Sequence, residues 1–260
     1  MKNKFYSKAI LAFSISALLF SAGCKKNETQ YGQVGLQLVT QIDSSTVANE
    51  NQLYSDHNGR LMAISDARFY ISGMSVQNTN GTWYSIPNSL LLKIYENQNY
   101  NIQVPVPSGN YTALRFYVGL DSVTNASNPI ADTASKGIDS VLSATLEPHM
   151  YFGVGEGFKF FYFSGYVLPS GSHSPVPVNY QIGGNANRPL VTLSGLNFTV
   201  ETGRIHNLVV NCDYGKLLQG IQIAVGTHDN GNSFGSAQQM TTATLIADSI
   251  PNMFSFSANQ

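Results

Sequence analysis

Few side chains in this sequence could do chemistry, and they are scattered. Five histidines, His57, His149, His173, His206 and His228, are spread along 260 residues. No two stand at the i, i+2 or i, i+4 spacing of a local metal clamp. His57 and His228 sit in turn-forming sequence, Asp56-His57-Asn58-Gly59 and Thr227-His228-Asp229-Asn230-Gly231, and read as surface histidines. His206 follows Ile205 at the start of a strand-like run, and His173 falls in a Ser/Pro loop. His149 stands out because it precedes Met150-Tyr151 and borders a glycine-rich turn. Two cysteines, Cys24 and Cys212, exclude a disulfide scaffold and a thiolate zinc cluster. Cys212, in Leu208-Val209-Val210-Asn211-Cys212, reads as a buried structural thiol.

Motifs that would announce a reaction are missing. Gly153-Val154-Gly155-Glu156-Gly157 has neither the G-x-G-x-x-G nor the P-loop spacing, and it reads as a hairpin or bulge. There is no G-x-S-x-G elbow, no H-E-x-x-H and no EF-hand loop; Asp229-Asn230-Gly231-Asn232 offers two oxygen ligands and stops. The paired carboxylates of a glycan hydrolase would meet only in space. The 15 acidic residues lie in no plainly apolar sequence, so an enzyme ranks behind a binding protein. Asp121-Ser122-Val123, Asp132-Thr133-Ala134, Asp139-Ser140-Val141 and Asp248-Ser249-Ile250 resemble a D-[ST]-apolar O-glycosylation pattern.

The elements that must carry these residues are strands. Charged residues make up 11% of the chain, against about 25% in an ordinary soluble domain. A net charge of −1 excludes the cationic stripe that nucleic acid requires. Strand patterns cover Val34–Val39, Arg68–Val76, Thr82–Ser85, Leu90–Ile94, Tyr100–Val104 and Tyr111–Gly119. A polar stretch from Ser122 to Pro148 reads as an insertion, with a short helix over Ile138–Leu146. Phe158–Val167, aromatic on both faces, reads as a central strand covered on both sides. Val178–Ile182, Leu190–Leu193, Asn197–Val200, Ile205–Asn211 and Met253–Phe256 follow as strands, with a helix over Ala237–Ser249.

The N-terminus reads as an address. Lys2, Lys4 and Lys8 precede a 12-residue apolar run, Ala9–Phe20, too short to cross a bilayer but right for an export signal. Ser21-Ala22-Gly23-Cys24 then resembles a bacterial lipobox, which implies a signal peptide over 1–23, acylation of Cys24 and a lipidated tether over 24–32. Two or three acyl chains anchor a protein stably where one does not, so the expected partner here is a membrane surface. Loss of Lys2, Lys4 and Lys8 leaves 11 basic side chains against 15 acidic ones. Lys25 at the position after Cys24 favours the outer membrane, on its periplasmic side.

Several blocks, taken in order, resemble the MbnP-like domain family, named for a periplasmic copper-binding protein. They are Phe69-Tyr70-Ile71-Ser72-Gly73-Met74, Val106-Pro107-Ser108-Gly109-Asn110-Tyr111, and Leu114 to Asp121 with Asn125. His149-Met150-Tyr151-Phe152 with Gly157-Phe158-Lys159-Phe160, and Gln181-Ile182-Gly183-Gly184-Asn185, complete the set. The resemblance spans about residues 34–215 and implies an all-β fold: a single antiparallel β-sandwich over 33–260, with long loops and at most short helices. It also implies copper as a cofactor to be tested. Where the family has a Trp this chain has Phe152, and where it has a His this chain has Gln181. Neither supplies an imidazole or thioether for copper. The expectation is therefore a non-enzymatic binding module with the metal site lost and a protein or small-ligand partner. A variant soft site from His149, Met150 and Met74, with His206 as a further donor, is the alternative.

Overall fold

Alternation decides which face each strand buries. In Tyr31–Ile42 (β1), Val34, Leu36, Leu38, Thr40 and Ile42 are buried while Gln37, Val39 and Gln41 are half-buried, the two-residue period of a strand packed on one face. The computed structural model describes residues 29–257 apart from 44, 48–51, 88, 96–98, 130–139, 143–148 and 224–228. Cys24, His228 and the signal segment lie outside the described residues. The first strand begins at Tyr31, inside the segment expected to be tether.

Two sheets face one another. In the smaller, β1 lies between Asn99–Pro107 (β7) and Ile205–Asp213 (β13), with Phe254–Phe256 (β15) beyond β13 and Ser45–Thr46 (β2) at the end of β1. The larger runs Leu190–Val200 (β12), Gly109–Val118 (β8), Leu61–Asn78 (β4), Gly157–Leu168 (β10), Val176–Gly183 (β11) and Asp229–Asn232 (β14). Tyr54–Ser55 (β3), Trp83–Ser85 (β5) and Leu91–Ile94 (β6) also pair with β4, and Tyr151–Gly153 (β9) pairs with β10.

Three details differ from expectation. The sandwich is not wholly antiparallel: β1 runs parallel to β13, with Leu36 opposite Leu208, and β11 runs parallel to β14. Parallel neighbours need long crossovers, and residues 43–204 and 184–228 supply them. The central strand β4 starts at Leu61, seven residues before Arg68. Leu190–Val200 is one strand, not two: pairing with β8 shifts register between Ser194 and Phe198, a stretch that includes Gly195 at φ 87°, and then resumes.

The main core lies between the sheets. Phe69 stacks on Phe161 at 6.1 Å, and Phe254 from the small sheet meets Phe69 and Phe116 edge-on at 5.6 and 5.1 Å. Cys212 is fully buried there, and burial pushes its thiol up to about 12. Lys93 is buried too, its ammonium donating to the Ile94 carbonyl at 3.2 Å, and desolvation lowers it to about 8.

Helices are short, as expected. Ser122–Asn125 (α1) is capped by Asp121 and Tyr214–Leu217 (α2) by Asp213. Ala237–Ser249 (α3) opens with a Ser236/Gln239 capping box. Of the helix expected over 138–146, a single 3-10 turn at Ser140–Leu142 is described.

Candidate functional site

The expected soft donors do not gather. Met74 is fully buried in the main core, while Met150 is buried in a separate cluster with Tyr70, Leu92, Leu120, Leu142, Phe158 and Phe160. His149 is exposed beside it. His206 stacks on Phe198 at 5.2 Å. Among the described residues, no group of three or more His, Cys, Asp or Glu side chains is placed to hold a metal ion.

His57 has a role that its turn sequence hides. Its Nδ1 lies 3.2 Å from Asp43 Oδ1 and its Nε2 3.3 Å from Asp213 Oδ2. Asp213 Oδ1 also accepts the backbone N–H of Asp43 and Gly215, each at 2.9 Å. Next to it, Arg60 pairs with Asp56 at 2.7 Å and donates to the Leu218 and Ile221 carbonyls. Both ring nitrogens of His57 face carboxylates, so the residue clamps a corner and presents neither nitrogen to a substrate. No local motif signals this, since Asp43, His57 and Asp213 meet only through the fold.

The glycine-rich turn is the expected hairpin, joining β9 to β10. Beside it a polar cavity of about 180 Å³ is lined by Ser122, Asn125, Tyr151, Glu156 and Asn185 among others. Asn125 is committed to the fold: its Oδ1 accepts the Phe158 N–H at 2.9 Å and its Nδ2 donates to Asn185 at 3.3 Å. Gly157, at φ 79°, leaves no room for a Cβ against Asn125.

A larger concavity lies on the outer face of the large sheet. Along β10, Phe161, Phe163, Gly165 and Val167 are buried, while Tyr162, Ser164 and Leu168 are half-buried and Tyr166 is exposed. The small apolar cluster covers one end of this face, with Tyr162 packed against it. At the other end a groove of about 640 Å³ is open, lined by Leu53, Ala63, Ser65, Tyr166, Leu168, His173 and Pro175. Leu53 and Tyr166 are 52% and 45% exposed, high for side chains of their size. Ser65, Leu168 and Pro175 had no signal in the sequence. Tyr166 corrects the expectation that Phe158–Val167 is covered on both sides: the small cluster covers the outer face only around Phe158 and Phe160, and leaves it open at Tyr166.

Comparison with known proteins fits this architecture. The MbnP family's sequence profile matches residues 31–236. The chain belongs to the MbnP family. A solved structure, MbnP from Methylosinus trichosporium, superposes with a TM-score of 0.57 at 16% identity, covering 89% of this chain and all of that one. No curated protein matches by sequence.

Within this MbnP-family fold, the two departures seen in the sequence lie on β9 and β11, both of which pair with β10. The Phe152 ring meets Phe234 edge-on at 5.0 Å and occupies the space that a Cβ on Gly183 would need. Gln181, opposite Tyr162, donates through Nε2 to Asn179 Oδ1 at 3.0 Å. The Lys159 ammonium lies 5.5 Å from the Phe152 ring centre and 5.6 Å from that of Tyr162. A phenyl ring, an amide and an ammonium do not make a copper site, which wants imidazole or thioether donors.

Proposed function

We propose that this protein is a non-enzymatic binding module held at the bacterial outer membrane, on its periplasmic side, by lipid on Cys24. In this reading it keeps the MbnP scaffold without the family's metal site. One observation carries it: the open groove around Tyr166, of about 640 Å³, on a sheet face whose other end is closed by its own cluster. Ligand sites run to about 300–1,000 Å³, mostly apolar with a few polar groups. Ser65 and His173 are the polar groups here.

Hydrogen exchange on the purified lipoprotein, with and without a soluble extract of its own cell envelope, tests the reading. Protection confined to β10 and the 169–175 loop supports it. Absence of protection overturns it. Copper titration runs alongside: binding tighter than micromolar that is lost in His149→Ala would replace this reading with a periplasmic copper-binding protein using a variant His/Met site.

A further inference from the structure

The chain enters the sandwich at one end, and three tight turns close that end around it. Tyr31 pairs with Pro107 at the β7–β8 turn, and its carbonyl accepts the N–H of Gly203, in the β12–β13 turn, at 2.9 Å. The Ser108 and Thr202 hydroxyls, 2.8 Å apart, tie those two turns together. The β4–β5 turn joins them through Thr79, whose N–H donates to the Asn110 carbonyl at 3.2 Å. Just past that turn, the Tyr84 side chain is hydrogen-bonded to that of Tyr31. The Tyr166 groove lies at the other end of β4: Tyr166 sits opposite Ala63, whereas the turn follows Asn78.

Aromatic rings and uncancelled positive charge rim this end. Tyr31 and Ile205 are exposed beside it. Trp83, half-buried, lies under the Arg115 guanidinium, whose carbon is 4.1 Å from the ring centre. Leu114 and Phe116 belong to the main core, so Arg115 points outward. Among the described residues Arg60, Arg68 and Arg204 are ion-paired and Arg115 is not. The turns 78–82, 107–109 and 201–204 hold one carboxylate, Glu201, and Arg204 meets it at 3.0 Å. Ahead of Tyr31 the tether brings Lys25 and Lys26 against Glu28.

We infer that this end rests on the anionic headgroups of the membrane that holds the lipid on Cys24, so that the Tyr166 groove faces away from the surface. The inference rests on the proposed anchor and adds the orientation. Residues 24–30, seven in all, reach no more than about 25 Å even when fully extended. So short a tether holds the end at an effective concentration of about millimolar, and contacts too weak for a free protein suffice. Trp and Tyr suit the headgroup level, with an apolar ring and a polar tip. A guanidinium stacked on an aromatic face keeps its edge donors for phosphate oxygens.

The rest of the molecule fits an anionic surface less well. β1 and β13 run side by side away from the tether, with Gln41 opposite Asp213 where they finish. There Asp43, Asp56 and Asp213 gather, with His57, Arg60 and Lys216 as their partners. Three carboxylates at that end oppose approach to lipid phosphate. A protein seated at the tether end would need a desolvated apolar centre. The three turns there are built mostly of Asn, Thr, Ser and Gly.

Trp83 is the sole tryptophan of the chain, so its emission reports on this end alone. The test reconstitutes the purified lipoprotein in phosphatidylethanolamine/phosphatidylglycerol vesicles, with and without a lipid spin-labelled on its headgroup. The label quenches at least half of the Trp83 emission. In a Trp83→Phe background, Thr79→Trp at the turn is quenched likewise, and Tyr166→Trp in the groove is not. Arg115→Gln, added to the Thr79→Trp protein, lowers the ratio of docked to free protein about fivefold. Quenching of Tyr166→Trp, or indifference to Arg115→Gln, overturns the inference. So does emission from Trp83 and Thr79→Trp that the label leaves intact, whether the end then stands free or is covered by another protein. Flotation separates this failure from that of the anchor. A protein that floats with the vesicles but is not quenched loses the orientation alone. One that does not float has no anchor, and both readings fall.

Discussion

The two faces of the large sheet are made by the same strands and behave as different materials. On the inner face Phe69, Phe116, Phe161 and Phe163 meet the small sheet and are fully buried. On the outer face one end is covered by Tyr70, Met150, Phe158 and Phe160, and the other carries Tyr166 in the open. A bulge between Lys159 and Phe161 makes the change within one strand, because it places Phe160 in the outer cluster and Phe161 in the inner core. The contrast teaches that aromatic content alone does not locate a site. What matters is which rings the fold leaves without a covering layer.

Mutation can sharpen that contrast. The largest effect belongs to the inner face: Phe116→Ala should cost about 3–5 kcal/mol in urea unfolding, since it empties a site packed by Phe254. Phe158→Ala on the covered outer end should fall near the low end of that range, about 3 kcal/mol, because its cluster is smaller. If Tyr166→Ala on the open outer end lost as much stability as Phe158→Ala on the covered one, the contrast would collapse.

Lys93 should act with the opposite sign. Burial lowers it from 10.5 to about 8, so between those values the unfolded chain holds a proton that the folded chain has released. Stability therefore rises with pH from about 8 to about 10.5. Lys93→Met should remove that slope and raise stability at pH 7 by up to about 3 kcal/mol. An unchanged slope, measured by urea melts across that range, would show that Lys93 is not the source. Smallest of all, Tyr166→Ala should shift stability by no more than about 0.5 kcal/mol while affecting binding, since an exposed ring holds nothing together.

Much of the fold was legible in the sequence because alternation and turn dipeptides are local. The strands around Arg68–Val76 and Tyr111–Gly119, the helix over Ala237–Ser249 and the hairpin at Gly153–Gly157 all follow from such signals. The parallel partnership of Leu36 with Leu208 did not, because nothing local distinguishes a strand's neighbour. The site was less legible. Phe152 and Gln181 were found as departures from a family pattern, but the groove joins Leu53, Ser65, Tyr166 and Pro175 from separate segments. The clamp on His57 likewise needs Asp43 and Asp213 brought together by the end of β13. His57 also shows why a turn sequence is a poor guide to a side chain's partners.

The partnership of β1 with β13 also sets a timetable. As the chain emerges from its N-terminus, β7 can satisfy one edge of β1 early, through pairs such as Val34 with Val104. The other edge must wait for Ile205–Asp213, when about four-fifths of the sequence is already out. Contacts so distant along the chain are slow to form. Until they do, a long apolar strand offers unpaired hydrogen-bonding groups to any neighbour. The nascent protein thus carries a built-in interval in which it is soft enough to be threaded and sticky enough to need an escort.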